Sequence, residues 1–257
     1  MRSSELRDGK VVTARVSQDR EAVGSVDERV KQAGLLYEQA VHAGDAAPLA
    51  RADRELDAAE ADLAVARGRV MHARFLLRRD LDLAAAEEDT ADEDTAELAL
   101  FERAARLYRT LGDLRGEAEA LFWVGCLHQV IRHDDGTAVP VLERSLDLAS
   151  RSGDPDTMAE ALRHLGIAAH RAGHLDEARG RLEEATRLRQ QTGQLPSAAA
   201  NMIGLAYIAT AQDRRSDAQA LLDEAAAIAA ASDAHRILAQ VTEARAEFSG
   251  QHPHRTA

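Results

Sequence analysis

The side chains with the clearest binding chemistry are an aromatic pair, Phe122 and Trp123, and a polar group, Arg163, His164 and Asn201. Aromatic side chains supply much of the binding energy at protein interfaces, so the pair could anchor a partner. Cationic groups beside an amide donor suit a carboxylate, such as the chain terminus of a peptide. The sequence therefore predicts a groove with an apolar anchor and an anion-binding end.

The full candidate set contains the side chains expected beside the packing positions of three helices. Its members are Phe122, Trp123, Cys126, Gln129, Glu160, Arg163, His164, His170, Arg171, Asn201 and Met202. Two interpretations of Trp123 stay open, since it is either an exposed anchor or an interior residue that closes a repeat. Arg163 and Arg171 likewise either bind a ligand or form ion pairs with Glu160 and its neighbours.

Catalytic and metal-binding motifs are not visible in the sequence. Cys126, Glu160 and His164 could converge in a groove, but a single cysteine on a helix is usually a small packing residue. His170 and His174 are four residues apart, a spacing that can hold a metal, yet Ala172-Gly173 should end the helix between them. We therefore expect neither an enzyme nor a metal site, and no cofactor.

The composition points to a helical protein with a protein partner. Hydrophobic residues make up 45% of the 257 residues, aromatics only 3%, and the formal net charge is −12. A field of that sign repels nucleic acid and anionic membrane surfaces. There is one cysteine, and no apolar run reaches the length of a membrane span. We expect a cytoplasmic location.

The elements that would position the candidate residues repeat along the chain. An alanine and a leucine four residues later recur every 40 residues, as Ala138-x3-Leu142, Ala178-x3-Leu182 and Ala218-x3-Leu222. Upstream of each pair lies an apolar segment with a central glycine, at Gly125, Gly166 and Gly204. A glycine where two helices cross lets their backbones approach, and the large residue fills the space beside it. The pattern predicts stacked helical hairpins.

This pattern resembles the tetratricopeptide repeat (TPR) motif W-x2-L-G-x2-Y…A-x3-F. The segments 121–132 (LFWVGCLHQVIR), 163–168 (RHLGIA) and 201–208 (NMIGLAYI) are similar to actinobacterial TPR proteins, both free-standing ones and the arrays of large transcriptional regulators. The resemblance covers residues 47–248. It implies an all-α, right-handed superhelical solenoid of about five hairpins that binds a protein or peptide in its concave groove.

The sequence departs from the large regulators in one respect. It contains no G-x4-GK[ST] phosphate loop and no separate DNA-binding domain. An ATP-driven switch is therefore not expected of this polypeptide by itself.

The expected domain organisation has three parts. Residues 1–24 should be a loose segment, residues 25–248 the repeat domain, and residues 249–257 a disordered tail. Within the domain, nine of the eighteen residues from 80 to 97 are acidic and none is basic, which predicts an exposed loop.

Helix boundaries are also predicted. A capping box should start a helix at Ser25, and longer patterns predict helices over 49–79 and 234–248. Gly153-Asp154-Pro155 should end one helix and start the next, and Thr137 should cap another.

The leading functional hypothesis is a protein- or peptide-binding adaptor or regulatory protein that uses the concave groove. One alternative is a regulatory protein that senses a small molecule in a closed pocket. Another is a scaffold that self-assembles, for example as a homodimer, through exposed apolar faces.

Overall fold

The computed structural model describes residues 27–80 and 87–250, with side chains for residues 27–78 and 94–250. Over these residues the chain forms ten helices and no strand, which confirms an all-α helical-repeat solenoid. The helices are α1 (Glu28–Ala43), α2 (Leu49–Asp80), α3 (Glu87–Leu111), α4 (Leu114–Val130), α5 (Asp135–Ser152), α6 (Pro155–Arg171), α7 (Leu175–Gln191), α8 (Leu195–Ala211), α9 (Arg215–Ala231) and α10 (His235–Phe248).

The described residues form two compact units, which are divided between Ala59 and Glu60. In the first unit, α1 packs on the start of α2 through Ala33, Leu36 and Ala52. The remaining helices belong to the second unit, in which each helix packs on the next. The candidate site residues all lie in the second unit.

The repeated glycine and leucine positions form the predicted close helix crossings. A Cβ atom placed on Gly125 would lie 2.6 Å from Leu142 Cγ, and one on Gly166 would lie 3.0 Å from Leu182 Cγ. Leu142 is fully buried, as is Ala138 one turn before it. The hydrogen side chain of glycine therefore lets consecutive helices approach, and the leucine of the second helix closes the gap, as the motif predicts.

Substitution of Gly125 should show the cost of this close approach. We expect Gly125→Ala to lower the free energy of unfolding by roughly 1–3 kcal/mol, because the added methyl group overlaps a buried leucine. The matched control is Gly180→Ala, at an exposed helix position with nothing within 4 Å of the added carbon. That variant should gain about 0.5–1 kcal/mol from helix propensity. Equal effects in urea unfolding of the two variants would contradict the packing role of Gly125.

Helix ends agree with the sequence at one junction and differ at another. Gly153 adopts φ 67° after α5, Asp154 is the N-cap of α6, and Pro155 is its first residue, as predicted. The cap of α5 is Asp134, not Thr137. The Asp134 carboxylate accepts from the Thr137 backbone N–H at 3.0 Å, so Thr137 lies in the first turn. A carboxylate and a hydroxyl compete for the cap, and the acidic residue satisfies the free N–H.

Helix α1 begins later than predicted. Its N-cap is Asp27, which accepts from the Arg29 backbone N–H at 2.8 Å, whereas the predicted cap, Ser25, lies outside the described residues. The bounds of α2 and α10 agree with the predicted 49–79 and 234–248 within one residue. The expectations for residues 1–24 and for nearly all of 249–257 also fall on residues that are not described.

The predicted acidic loop over 80–97 is corrected by the structure. Helix α3 already begins at Glu87, so residues 87–97 are helical, whereas residues 81–86 lie outside the described part of the chain. Glu97 is only 2% exposed and lies beside His72, with Nδ1 and Oε1 2.9 Å apart. A carboxylate with a buried hydrogen-bond partner can lie at a buried position of a helix. The number of acidic residues in a segment does not show whether such a partner exists.

No helix in the described part of the chain is long and apolar enough to cross a membrane.

Candidate functional site

A cavity of about 660 Å³ opens in the second unit between α2, α4 and α6. Helices α4 and α6 are the first helices of two consecutive repeats, which the motif predicts to line the groove. The charged and aromatic side chains that line the cavity are Arg69, His72, Arg115, Glu119, Phe122, Trp123, Asp154, Asp156, Glu160, Arg163, His164 and Arg236. The cavity thus has an aromatic wall and a charged end.

Trp123 forms the centre of the aromatic wall. Its ring stacks on Phe101 at 5.6 Å between centroids and meets Phe122 and His72 edge-on at 5.0 and 5.4 Å. The Arg69 guanidinium lies over the same ring at 5.6 Å. Trp123 is half-buried and packs against two separate core clusters while it lines the cavity. Most of the ring is therefore interior, and only a part of it faces the groove.

The charged end is built around two arginines that share one amide oxygen. Asn201 Oδ1 accepts from Arg163 Nη1 at 2.7 Å and from Arg189 Nη1 at 3.3 Å. Arg189 also pairs with Glu160 at 2.6 Å. Asn201 is fully buried and its Nδ2 has no hydrogen-bond partner within the described residues. The buried amide therefore holds Arg163 in place at the cavity wall.

Arg163 shares its neighbouring carboxylate, Glu160, with Arg189. Among the described residues it forms no ion pair, because the neighbouring Glu160 is engaged with Arg189. Burial, and then the charge of Arg189, lower the pKa of Arg163 to about 10, so it is still a cation at neutral pH. Two desolvated cations beside one carboxylate leave an excess of positive charge, which is costly, and an anion in the cavity would relieve that cost.

His164 next to Arg163 is held neutral. Burial, followed by the charge of Arg163, lowers the pKa of His164 to about 3. Its Nδ1–H donates to Gln129 Oε1 at 2.6 Å, and the Gln129 amide donates to the His164 carbonyl at 3.1 Å and to Asp135 at 2.9 Å. This tautomer leaves Nε2 as an acceptor, so His164 adds polarity to the wall without adding charge.

A buried chain of three ionisable groups lies beside the aromatic wall. Glu97 and His72 are 2.9 Å apart, and His72 Nε2 lies 3.7 Å from Cys126 Sγ. In principle His72 could take the thiol proton while Glu97 stabilises the imidazolium. Burial, however, raises the pKa of the Cys126 thiol far above its usual range, so the thiol is protonated at neutral pH.

The structure brings six of the predicted site residues together in this cavity. They are Phe122, Trp123, Cys126, Glu160, Arg163 and His164. Gln129, His170 and Arg171 do not line it. Gln129 is buried beneath His164, and Arg171 lies outside and pairs with Asp135 at 3.2 Å.

Two further predicted groove residues, Asn201 and Met202, are corrected to core positions. They are 0% and 3% exposed, and Met202 belongs to a core cluster with Ile203. The reason is that α8 is apolar around most of its circumference and is buried on nearly all sides. A helix of that kind gives no sequence signal for which face meets a groove.

Sequence reasoning missed the wall contributed by α2, with Arg69, His72 and Leu76, and two residues of α10, Arg236 and Gln240. Gly68 is the sequence feature that could have indicated the packing of α2 against the next helix. A Cβ atom on Gly68 would lie 2.5 Å from the ring of Phe101, which repeats the contact of Gly125 with its leucine. This pair identifies α2 and α3 as one more hairpin.

Within the described residues, no group of three or more His, Cys, Asp or Glu side chains is placed to hold a metal ion. His170 and His174, the pair considered from the sequence, lie on either side of the end of α6.

Comparison with known proteins supports the repeat assignment. A family model described as tetratricopeptide repeat matches residues 127–191. No curated protein matches the sequence. The crystal structure of BtubC (BKLC) from P. vanneervenii is similar with a TM-score of 0.50 and 18% identity, over 80% of this chain and 90% of that chain. At this identity the similarity concerns the fold alone.

Two further crystal structures are similar to this chain. Both show the nearly identical TPR-like repeats of a putative kinesin light chain from Podosopora anserina. One of them, a single-residue variant, has a TM-score of 0.48 and 16% identity, over 68% of this chain and 89% of that chain. The other has a TM-score of 0.45 and 17% identity, over 66% and 95%.

Proposed function

Because this chain is a tetratricopeptide repeat protein, we propose that it is a binding protein that holds a segment of a partner protein in the cavity between α2, α4 and α6. TPR repeats are protein-interaction scaffolds, and the proposal names the surface used here. The partner segment carries a carboxylate, from an acidic side chain or a chain terminus, that pairs with Arg163. An adaptor or regulatory role follows from this binding.

The observation that carries the proposal is the guanidinium of Arg163, which among the described residues has a hydrogen bond to Asn201 but no ion pair. It faces the cavity and is fixed by a buried amide, so it loses little conformational entropy when a ligand binds. A carboxylate fits the planar fork of an arginine with two parallel hydrogen bonds. The neutral His164 beside it can accept a further hydrogen bond through Nε2.

The aromatic wall supplies the apolar part of the contact. Phe122 lies between Trp123 and His164, at 5.0 and 5.4 Å, so rings line the path to the charged end. An apolar residue next to the carboxylate of the partner would cover these rings. The proposed role is binding and not catalysis, because the one thiol of the cavity, Cys126, is protonated and largely buried.

Substitution of Arg163 tests the proposal. Wild type and Arg163→Gln would be used for affinity capture from native lysate, with the retained proteins identified by mass spectrometry. We expect at least one protein to be retained by wild type and lost by the variant, a change of roughly 1.5–3 kcal/mol in binding. The matched control is Arg179→Gln, a partly exposed arginine of α7 that does not line the cavity; this variant should retain the same protein.

Circular dichroism of each variant would confirm that it is folded. If the folded Arg163→Gln variant retained the same proteins as wild type, the proposed use of the cavity would be wrong.

A further inference from the structure

A second surface, on the outer face of α2, carries an exposed apolar stripe that the proposed cavity does not use. Leu63, Val70 and Leu77 follow one another at seven-residue intervals and are 61%, 51% and 59% exposed. The same interval already separates Leu49 and Leu56 earlier in the helix. Apolar residues at this spacing form a continuous seam along a helix, which is typical of a coiled-coil contact.

The stripe lies opposite the face with which α2 joins the core of its own unit. Ala61, Ala64 and Val65 are at most 6% exposed and pack with residues of α3 and α4. At 100° per residue, Leu63 and Val70 point away from these three positions. The stripe is therefore not needed for the packing of the monomer, and exposed apolar seams of this kind usually mark an interaction surface.

Small residues alternate with the large ones along the seam. Ala66 and Ala73 each follow a stripe residue by three positions, and both are exposed. Leu63, Ala66 and Val70 border a shallow groove of about 550 Å³ along the helix. Alternating large and small residues let a second helix approach closely and place its own large residues over the alanines.

The charges beside the seam favour a second copy of the same helix as the partner. Glu60 and Asp62 precede Leu63, and Arg67 and Arg69 follow Ala66. A second copy of α2 laid antiparallel, with its two-fold axis between Leu63 and Ala66, places Glu60 opposite Arg67 and Asp62 opposite Arg69 of the second copy. Each pair then occurs twice, and all four are attractive.

The parallel arrangement is disfavoured by the charges along the same helix. It would keep one attractive pair, but it would place Arg69 beside Arg74 of the second copy and Glu55 beside Glu60. Both of these contacts join like charges, which destabilise a helix pair. The sequence of α2 therefore favours the antiparallel dimer.

The pair formed by Glu60 and Arg67 gives the clearest test of this arrangement. Arg67 forms no ion pair among the described residues, so it is available to a second chain. Glu60 is already bound by Arg103 at 2.8 Å, but it is half-exposed and its carboxylate can accept from a second arginine. Asp62 and Arg69 suit the test less well, because Asp62 accepts from the hydroxyl of the buried Tyr108 and Arg69 lines the cavity.

We propose that the chain forms a homodimer through the outer face of α2, with the two α2 helices antiparallel and Leu63 of one copy packed on Ala66 of the other. The stripe residues do not line the cavity, and Arg69, which borders both surfaces, is left unchanged in the variants that test the dimer. The inference therefore stands or falls independently of the proposed function.

The test combines the molar mass in solution with a charge exchange. Wild type, Glu60→Arg, Arg67→Glu and the double variant would be studied by light scattering over a concentration series, each with a thermal unfolding control. We expect wild type to have twice the chain mass of 27.8 kDa and each single variant to dissociate at least about tenfold more readily. The double variant should recover the dimer, because the two charges are then exchanged in both copies and each pair is attractive again.

Two controls keep the test independent of folding. Leu63→Glu should also give monomers while it stays folded, since the side chain is mainly exposed. Arg106→Glu, an exposed residue of α3 away from the seam, should leave the dimer unchanged. A wild type with the mass of one chain, a dimer insensitive to Arg67→Glu and Leu63→Glu, or a double variant that stays monomeric would each overturn the proposal.

Discussion

Trp123→Ala is expected to lower the free energy of unfolding by roughly 3–5 kcal/mol. The ring contacts Phe101, Phe122 and His72, and it joins two core clusters that belong to consecutive hairpins. Its removal leaves a cavity at the contact between repeats, and each repeat depends on its neighbours for burial. The loss should therefore appear in urea unfolding as a lower midpoint.

The matched control for Trp123 is Leu195→Ala in α8, a large apolar side chain that is 43% exposed and should cost at most about 0.5 kcal/mol. The alternative interpretation, an exposed anchor, makes the opposite prediction. If Trp123→Ala kept wild-type stability but lost the captured partner, the interior role of the ring would be wrong.

Acidification is expected to destabilise the protein through His164. The pKa of His164 is lowered to about 3 in the folded chain, mainly by burial, from an ordinary value of 6.5. Below pH 6.5 the unfolded chain therefore binds a proton that the folded chain does not. The stabilising contribution of the neutral imidazole is complete above that pH and is lost between pH 6.5 and 3, by at most about 1.4 kcal/mol per pH unit.

The measurement that checks this is the free energy of unfolding of wild type and His164→Gln between pH 7 and about pH 4. Glutamine can still donate to Gln129 but does not titrate, so the stability of the variant should fall less steeply. The difference in slope isolates His164 from the carboxylates that also titrate in this range. Identical slopes would contradict a neutral, buried His164.

The sequence predicted the packing of the repeats better than the contents of the groove. Gly125 and Leu142 were identified correctly because a close helix crossing requires a specific pair of residue sizes at a fixed interval. The sequence pairs the helix over 49–79 with the helix of Phe101, but the part of α2 in the cavity wall was missed, because an acidic insertion between the two helices breaks the repeat interval that aligns groove positions.

The polar network at the charged end could not be predicted from one helix at a time. Arg189 lies on a second helix, where the motif predicts no groove residue, yet its long side chain reaches Asn201 and Glu160. Asn201 was grouped with Arg163 as a residue of the groove surface, whereas it is fully buried behind the guanidinium. Only the three-dimensional packing of α6, α7 and α8 reveals that the amide positions the guanidinium.

The central claim is that Arg163 binds a carboxylate of the partner, and a double-mutant cycle on the captured partner tests it most directly. Dissociation constants would be measured for wild type and Arg163→Gln, each with the partner segment in its native form and with the candidate carboxylate converted to the amide. We expect each single change to weaken binding by about tenfold or more, and the two together to weaken it little further. The pairing of Arg163 with a partner carboxylate would be contradicted if the effect of Arg163→Gln and the effect of the amide change were additive for every carboxylate of the segment, whether side-chain or terminal.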